Sequence, residues 1–500
     1  MNKRSRTIGY YYEKFRAFLL ILLIGVCIIQ VGILWSSQSG SFPFLSSIFS
    51  DSKTTSQASI EELKGEFMLP YKVVLSKGYD DDHLIIPNGS GEYYTLWNGA
   101  QEYLKAALRD KPARIESFSD EKWGIIVANN PYYFEFKADV NIDIVKWVLN
   151  IKNSVDSLVG LNKLVIHPDD PENGYADTVY VRDNNNIYTY IVSGYDGSAL
   201  EKEEFETVYK SHENNFKIKN YKIKNYKIAI ETGSRSLLPK DMIAPFTSNS
   251  EEEYTNITGI PFDGLQRPIS SLAEYDAIQL ELLGEIRNDY YPDEDVYGSV
   301  VFKKSDSVYR LYKNSVIEYK YTGNQGAAER TRLLDAYQKA VGFIMEIKTR
   351  SRYMDNINLY LSSVKEGSNS FIFKFDYSIA DGEGHGDVPL LLKDFKLPNS
   401  EQSLDSAITI EATSKRVVQC RWVALKLEVH KNFNEYDWNF PELVDRTYNS
   451  NNDLSKANLP IRDYGIYYVL TPQEINNTLI TPSFVLFNNT GGYDIPLEGK

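Results

Sequence analysis

The most extended apolar stretch of the chain lies near its start, at residues 18–35 (FLLILLIGVCIIQVGILW). As a helix it is long enough to cross a hydrocarbon core of about 30 Å. Residues 1–16 carry five basic side chains and a single acid, and such a tail stays in the cytoplasm. We therefore predict a cytoplasmic basic tail over 1–16 and a single transmembrane signal-anchor helix over 17–36 in the cell membrane, with the bulk of the chain extracytoplasmic.

Two other interpretations of the apolar stretch stay open. A signal peptidase could cut near Ser39, although the stretch exceeds the usual length of a signal-peptide core and no Ala-x-Ala follows it. Cys27 ends the sequence Leu-Ile-Gly-Val-Cys, a loose match to a lipidation motif in which Val26 is bulkier than the usual residue. Either alternative would change how the chain is attached to the membrane.

Three residues within the stretch are candidates for contact with another membrane helix. Gln30 is strongly polar, and side-chain amides hydrogen-bond between helices in membranes. Gly25 and Gly32 are seven residues apart, which places them on nearly one helix face. We expect Gly25, Gln30 and Gly32 to contact a partner helix; the alternative is that they face lipid.

Beyond a serine-rich linker over 37–62, helical and strand periodicities alternate along the chain. The spacing of apolar residues predicts helices at 94–108, 142–151, 201–211, 270–283, 327–348 and 440–448. Alternation and short apolar runs predict strands at 71–75, 123–128, 132–137, 163–167, 178–182, 187–192, 300–302, 308–312, 316–321, 371–379, 406–412, 417–430, 464–470 and 482–488.

These elements fall into three groups, each a helix or two with an antiparallel sheet. We predict an α+β fold with an N-terminal domain over 63–195, a middle domain over 196–323 and a C-terminal domain over 324–500. The long alternation of strand and helix that is typical of doubly wound nucleotide-binding folds is missing from the pattern.

The segment 216–228 (FKIKNYKIKNYKI) contains a tandem duplication of five residues. Its alternation predicts a two-sided strand rich in lysine on an exposed sheet edge, where lysine discourages the addition of further strands. A binding site is the alternative interpretation of the same repeat.

Charge and cysteine content narrow the function classes. The net charge is −14 although the first 16 residues are basic, so the remainder is strongly acidic and a poor candidate for binding nucleic acid. Cys27 lies in the apolar stretch and Cys420 far beyond it, so we expect no disulfide within the chain. An extracytoplasmic protein that relies on its cores alone fits a bacterial surface.

Sequence motifs for catalysis are weak. The chain has no Gly-x-Ser-x-Gly, His-Glu-x-x-His, Cys-x-x-Cys or phosphate-binding loop. Ser-x-x-Lys occurs at 119–122 and 362–365, but without the partner motifs that a penicillin-recognising enzyme needs. We predict no catalytic residues and no cofactor, although a glycosidase pair among so many acids stays open.

Two acidic clusters are candidate cation sites. Residues 79–83 (YDDDH) and 381–387 (DGEGHGD) combine carboxylates with imidazole, a mixture that can ligate Ca²⁺ or Zn²⁺. Each also has the composition of a solvated loop beside a strand, and we favour that interpretation and predict no metal site.

The order of elements and several short segments resemble the YycH family, whose members regulate an essential sensor histidine kinase of the WalK/YycG type. One of these segments is similar to a hairpin of the sister family YycI. The segments are 69–75 (LPYKVVL), 123–127 (WGIIV), 133–136 (YFEF), 309–319 (YRLYKNSVIEY, the YycI-like hairpin), 461–468 (IRDYGIYY) and 481–485 (TPSFV).

The resemblance implies a protein without catalysis that controls cell-wall metabolism in Gram-positive bacteria. Its expected partners are the sensor histidine kinase and a YycI-like single-pass regulator, contacted through the membrane helix. Two other classes stay open: a scaffold of a secretion or division complex, and a wall-associated enzyme or polymer binder.

Overall fold

The structure of the chain is a computed structural model, and the fold can be described over most of its length. All described residues belong to one compact unit, Ser59–Lys500. They are residues 65–499 except 66, 82, 153–157, 169–176, 193–199, 201–206, 211–225, 233–237, 247–248, 261–270, 284–290, 295–298, 325–329, 351–356, 380–386, 398–402, 451–459, 475–477 and 490. Within this part of the chain, no helix is long and apolar enough to cross a membrane. The predicted basic tail, membrane helix and linker lie outside the described residues.

The first part of the described chain forms an N-terminal sheet with three helices. Its strands are ordered β2-β1-β4-β5-β6-β7-β3, and neighbouring strands are antiparallel. The strands are β1 (Lys72–Ser76), β2 (His83–Ile86), β3 (Arg114–Ser117), β4 (Tyr132–Asn141), β5 (Gly160–His167), β6 (Thr178–Arg182) and β7 (Asn186–Ile191). The helices are α1 (Gly91–Ala107), α2 (Asp120–Asn129) and α3 (Ile142–Val148).

The two faces of the N-terminal sheet are covered differently. Helix α1 covers one face, where Trp97 packs against Phe134 and Phe136 of β4. Helix α2 covers the other face together with a short hairpin of β8 (Lys227–Ile228) and β9 (Ile243–Ala244). Because side chains alternate along a strand, β4 directs its even-numbered residues to α1 and its odd-numbered residues to the second face.

A larger C-terminal sheet follows, in the order β11-β12-β13-β14-β19-β18-β16-β17-β21-β23-β24, with β15 also paired to β16. Its strands are β11 (Tyr291–Glu294), β12 (Val300–Lys303), β13 (Ser307–Leu311), β14 (Val316–Tyr321), β15 (Ile357–Glu366), β16 (Phe371–Ile379), β17 (Val388–Leu392), β18 (Ile408–Ala412), β19 (Val417–Val423), β21 (Asp463–Leu470), β23 (Pro482–Phe487) and β24 (Gly492–Pro496). A ribbon of β10 (Asn249–Ile260), β20 (Lys426–Asn439) and β22 (Leu479–Ile480) accompanies it. The remaining helices are α4 (Leu272–Leu283), α5 (Leu333–Arg350) and α6 (Phe440–Ser450).

The described residues form a main hydrophobic core and three smaller clusters, and we call one of the smaller clusters the second core. The main core joins the two sheets, for example through Phe67 on Phe375 and Trp147 of α3 on Tyr337 of α5. The second core is built around Phe440, whose ring packs on Phe246, Tyr464 and Phe484. We call the part of the molecule that surrounds this core the second lobe. Its core residues are Ala229, Met242, Ala244, Tyr436, Trp438, Phe440, Leu443, Ile461, Tyr464, Phe484, Leu486, Ile495 and Leu497.

The α+β class predicted from the sequence is confirmed, since helices and mostly antiparallel strands share these cores. The division into three domains stays a prediction. Two predicted elements lie mostly outside the described residues. Of the helix predicted at 201–211, residues 207–210 are described and are helical. Of the strand predicted over the lysine repeat, the end at 226–228 is described.

The strand predicted at 123–128 is wrong, because these residues belong to helix α2. Ser119 caps the helix by accepting a hydrogen bond from the backbone N–H of Lys122 at 3.2 Å. Trp123 and Val127, one helical turn apart, are buried on the N-terminal sheet. The short apolar run suggested a strand, but the cap and the i, i+4 burial determine the observed structure.

Two further boundaries differ from the prediction. The single strand predicted at 417–430 is two strands, β19 and β20, which pair in different sheets. The chain changes sheet at Ala424, whose N–H donates to the carbonyl of Ser315. Helix α5 begins at Leu333 rather than near 327, and the N–H of the preceding Arg332 donates to the Ser414 hydroxyl.

Candidate functional site

The residues predicted to contact a membrane partner are not part of the described structure. Gly25, Gln30 and Gly32 all lie outside the described residues. Their proposed role therefore stays a prediction from the sequence.

The acidic segment 79–83 ends at a buried contact between His83 and Glu231. His83 Nε2 lies 2.9 Å from a carboxylate oxygen of Glu231, and both side chains are almost fully buried. Lys227 Nζ donates to the backbone carbonyls of Asp80 and Asp81. Among the described residues, no group of three or more His, Cys, Asp or Glu side chains is placed to hold a metal ion.

Of the second acidic segment, 381–387, only Asp387 is among the described residues. Its carboxylate accepts a hydrogen bond from the Asn358 side chain at 2.8 Å, and its N–H donates to the carbonyl of Asn88. Gly89 allows this approach: its φ of +78° suits glycine, and a Cβ there would lie 2.7 Å from Asp387 Oδ1. Asp387 therefore links the N-terminal turn to the C-terminal sheet.

Both Ser-x-x-Lys matches have structural explanations. Ser119 is the cap of α2, and Lys122 pairs with Glu116 at 3.1 Å instead of approaching the serine hydroxyl. The hydroxyl of Ser362 donates to the carbonyl of Lys374, and Lys365 is exposed. Neither lysine is placed as a base for its serine.

A group of charged and tyrosine side chains, partly or fully buried, lies between the N-terminal sheet and the second lobe, and sequence reasoning missed it. We call it the polar junction. Its residues are Tyr71, Lys72, Glu135, Lys137, Lys163, Asp241, Asp463 and Tyr467. The cations and Glu135 come from β1, β4 and β5, whereas Asp241 precedes β9 and Asp463 and Tyr467 lie on β21.

Lys137 occupies the centre of one half of the junction. Its Nζ donates to Asp463 Oδ2 at 2.8 Å and to the Tyr467 hydroxyl at 3.2 Å. The same ammonium lies 4.3 Å from the ring centre of Tyr71 and 4.6 Å from that of Phe487. Aromatic faces attract cations at such distances. We call this arrangement of Tyr71, Asp463, Tyr467 and Phe487 the lysine cage.

The other half of the junction is a chain of ion pairs on the same face of the sheet. Lys163 Nζ lies 3.1 Å from Glu135 Oε1 and 2.5 Å from Asp241 Oδ2. Arg182 also approaches Asp241, at 3.4 Å. Lys72 joins the two halves, since it lies 3.8 Å from Glu135 and 3.7 Å from Asp463.

Glu135 and Lys137, one from each half, stay charged at neutral pH. Burial opposes ionisation of Glu135, but Lys163 and Lys72 outweigh it and lower the pKa of Glu135 to about 2. Burial likewise opposes the charge on Lys137, and Asp463 and Tyr467 outweigh it, so the pKa of Lys137 is raised well above its usual range. A general acid or base needs a pKa near the working pH. The junction therefore suits a fixed electrostatic contact and not proton transfer.

A cavity of about 210 Å³ lies beside β21, lined by charged and polar groups that include Asp394, Glu474 and Ser483. The ion pair of Lys393 with Asp494, at 2.7 Å, also lines it. Sites for small molecules usually enclose about 300–1,000 Å³ with mostly apolar walls. This cavity is small and polar by comparison.

Comparison with known proteins adds information on the fold. No protein-family model and no curated protein matches the chain. An uncharacterized protein from Eubacterium rectale ATCC 33656 aligns with 53% of this chain and 87% of its own at 10% identity, but its TM-score of 0.27 supports no conclusion.

The structure of YycH from Bacillus subtilis aligns much more extensively. The alignment covers 86% of this chain and 96% of that chain at 10% sequence identity, with a TM-score of 0.52. At this identity the similarity concerns the fold alone. The resemblance predicted from the sequence is thus confirmed at the level of structure: the chain adopts a YycH-like fold.

Proposed function

We propose that the protein is a membrane-anchored, non-catalytic regulator of a two-component sensor histidine kinase that controls cell-wall metabolism. The observation that carries the proposal is the YycH-like fold, which extends over 86% of the chain. The short segments that resemble the YycH family support the same assignment independently of the alignment, because they were identified in the sequence alone.

Regulation without catalysis requires only a difference in affinity. A protein that binds one state of a kinase more tightly than the other shifts the kinase toward that state, by no more than the difference in binding free energy. The mutually paired charges of the polar junction and the structural roles of Ser119 and Ser362 support a non-catalytic role.

The proposal includes a single-pass topology with a cytoplasmic tail over 1–16, a membrane helix over 17–36 and three extracytoplasmic α+β domains. The kinase and a YycI-like single-pass regulator would contact the helix at Gly25, Gln30 and Gly32. On an ideal helix the two glycines share one face and Gln30 points away from them, so two partner helices can be contacted at once.

Photocrosslinking in native membranes tests the proposal. A photoreactive residue replaces Gln30 in the full chain. The matched control carries the photoreactive residue at Val31, which on an ideal helix points between the face of the two glycines and the face of Gln30. We expect position 30 to capture a sensor histidine kinase or a second single-pass regulator, and position 31 to capture much less.

Other results would contradict the proposal. Capture of secretion or division components at position 30 would favour the scaffold class. Equal capture of unrelated proteins at both positions would show that the helix has no specific partner. To test for an enzyme or polymer binder, the purified full chain is incubated with cell-wall polymer, where we expect neither cleavage nor co-sedimentation.

A further inference from the structure

The cavity beside β21 is held in place by the strand register of the C-terminal sheet. Ser483 of β23 is paired with Tyr467 of β21 and with Pro496 of β24. Side chains two positions apart on a strand share a face of the sheet, and so do residues paired across strands. Val469 and Asp494 therefore project from the same face as Ser483, and all three line the cavity. Regular strands thus fix a large part of its wall.

The charged groups on the cavity wall are mostly acidic. Asp394, Glu474 and Asp494 line the cavity together with one basic residue, Lys393. Lys393 Nζ donates to Asp494 Oδ1 at 2.7 Å, so these two charges are paired. Glu474 Oε2 accepts from the N–H and the hydroxyl of Thr471, which orients the carboxylate. Among the residues that the structure describes, Glu474 Oε1 and the Asp394 carboxylate have no partner. Two negative charges therefore remain without a counter-ion.

A buried hydroxyl group also faces the cavity. Ser483 is only 4% exposed, and in the described part of the chain its hydroxyl has no hydrogen-bond partner. The backbone of Ser483 lies in the sheet between β21 and β24, so the side chain is the part that reaches the cavity. Leaving a buried polar group without a hydrogen bond costs free energy, and most such groups in proteins have a partner. A polar ligand in the cavity would supply one.

The shape and chemistry of the cavity favour an organic cation over a metal ion. A metal ion needs several oxygen ligands that converge on one point, and no three His, Cys, Asp or Glu side chains of the described residues do so. A primary ammonium instead carries three N–H donors, which can reach separate oxygens. The volume of about 210 Å³ suits a small ion, and Val469, Ile480 and Pro496 offer apolar wall for a short alkyl chain.

We propose that this cavity binds a small primary ammonium ion that carries a short alkyl chain. The ammonium group donates to Asp394, Glu474 and Ser483, and the alkyl chain packs on the apolar part of the wall. The pairing of Lys393 with Asp494 shows that the same wall already accepts an alkylammonium, supplied by the protein itself. A bound ion would neutralise part of the excess negative charge and give the Ser483 hydroxyl a hydrogen-bond partner.

Saturation-transfer NMR on the full chain in nonionic detergent micelles tests the site. The probe is n-butylammonium, and empty micelles provide the blank. We expect saturable binding of n-butylammonium that weakens as sodium chloride is added, because salt screens the attraction between the charges. Two comparison compounds separate the contributions of charge and of hydrogen bonding. Butanol has the same alkyl chain without the charge, and tetramethylammonium has the charge without N–H donors; both should bind more weakly.

Variants of the wall residues locate the bound probe. Ser483→Ala removes the hydroxyl and should weaken binding roughly three- to tenfold. A double variant, Asp394→Asn with Glu474→Gln, removes both unpaired charges and should weaken binding about tenfold or more, because hydrogen bonds to charged groups are stronger. The matched control is Asp445→Asn, an exposed acid on α6 that is not part of the cavity wall, and it should leave the affinity unchanged. Circular dichroism establishes that each variant keeps its secondary structure.

Three results would overturn the proposal. Equal binding of n-butylammonium and butanol would show that the charge plays no part. Unchanged affinity for n-butylammonium in both Ser483→Ala and the double variant would place the probe elsewhere on this acidic chain. A wild-type chain without saturable binding of n-butylammonium would mean that the cavity holds only water.

Discussion

Tyr71 and Tyr467 are 396 positions apart in the chain, yet their hydroxyl oxygens share a hydrogen bond of 2.8 Å. Tyr71 directly precedes the first strand of the N-terminal sheet, and Tyr467 lies on β21. Burial raises the pKa of both hydroxyls above the ordinary value of 10.0, so both remain protonated and able to bond. The pair joins the beginning of the described chain to its end.

Removing either hydroxyl should destabilise the protein, but by different amounts. Tyr71→Phe removes one hydrogen bond and should cost about 1 kcal/mol of unfolding free energy. Tyr467→Phe also removes the acceptor for Lys137 and should cost about 2 kcal/mol, because hydrogen bonds to charged groups are stronger. Urea unfolding of the full chain in micelles measures both.

The double variant provides the control for this pair. Since both single variants remove the same hydroxyl–hydroxyl bond, the double variant should cost less than their sum. Strictly additive losses would contradict a direct bond between Tyr71 and Tyr467.

Gly465 of β21 lies directly beside the hydrogen-bonded pair of Tyr71 and Tyr467. A Cβ at this position would lie 3.0 Å from the Tyr71 hydroxyl and 2.8 Å from a ring carbon of Tyr467. Gly465→Ala should therefore displace the tyrosine pair and cost about 1–3 kcal/mol. The matched control is Gly91→Ala at the start of α1, where nothing lies within 4 Å and alanine should be neutral or slightly stabilising. Equal stability of the two variants would show that the approach at Gly465 is not tight.

Local patterns were enough to predict several elements. The stripe of Leu96, Trp97 and Leu104 identified α1, which is observed at Gly91–Ala107 against a prediction of 94–108. The helix begins earlier than predicted because the Ser90 side chain accepts from the N–H of Tyr93, a cap that precedes the apolar stripe. The YycH-like fold, by contrast, was expected from the resemblance of several short segments and of the order of elements to the YycH family.

The remaining errors concern information that is not local. The apolar residues at 123–128 are compatible with either a strand or a helix. The helix forms because it buries Trp123 and Val127 against the N-terminal sheet. The break between β19 and β20 follows from a change of sheet at Ala424. The spacing of apolar residues along the chain does not reveal such a change. Apolar runs of this kind predict burial but not the partner strand.

The polar junction was missed for a similar reason. The alternation of Tyr133, Glu135 and Lys137 along β4 signals a polar sheet face, and this could have been noticed. The usual conclusion from such alternation is a solvated face. The residue that covers Lys137 is Asp463, 326 positions away, and a single sequence gives no indication of that pairing.

Ser119 offers a test of the structural interpretation of its motif. Ser119→Ala removes the cap of α2 and should cost about 1 kcal/mol, whereas Ser119→Asp should retain the cap and the stability. Thermal unfolding measures the difference. Lys122→Ala should cost less than Ser119→Ala, because its ion pair with Glu116 is exposed. If Lys122→Ala were as destabilising as Ser119→Ala, the two residues would share a role that the cap does not explain.

Glu135 should make the protein sensitive to acid. Its pKa is about 2 in the folded protein against an ordinary value of 4.5, so the folded state favours the charged form. The resulting stability, up to about 3 kcal/mol, is present above pH 4.5 and is lost as the pH falls from there toward 2. Glu135→Gln should lower stability at pH 7 and flatten this acid-induced loss, whereas Glu102→Gln on the exposed side of α1 should keep the wild-type slope. An unchanged slope in Glu135→Gln would contradict the role assigned to Lys163 and Lys72.

Asp376 on β16 should have the opposite effect on the pH dependence of stability. Burial raises its pKa from 3.8 to about 6, although its carboxylate accepts a hydrogen bond from the N–H of Ala407 at 3.2 Å. A raised pKa means that the folded state binds a proton more tightly than the unfolded state. Its contribution, up to about 3 kcal/mol, is therefore present below pH 3.8 and is lost as the pH rises through about 6.

Asp376→Asn isolates this contribution, because the amide oxygen can still accept from Ala407 and no charge forms at neutral pH. We expect the variant to be more stable than the wild type at pH 7 and similar to it at pH 4, as measured by urea unfolding at both values. Asp293→Asn is the matched control: it removes an exposed carboxylate that pairs with Lys303 and should leave the difference between the two pH values nearly unchanged. If Asp376→Asn were less stable than the wild type at pH 7, the charged carboxylate would be stabilising, and the burial of Asp376 would not govern its ionisation.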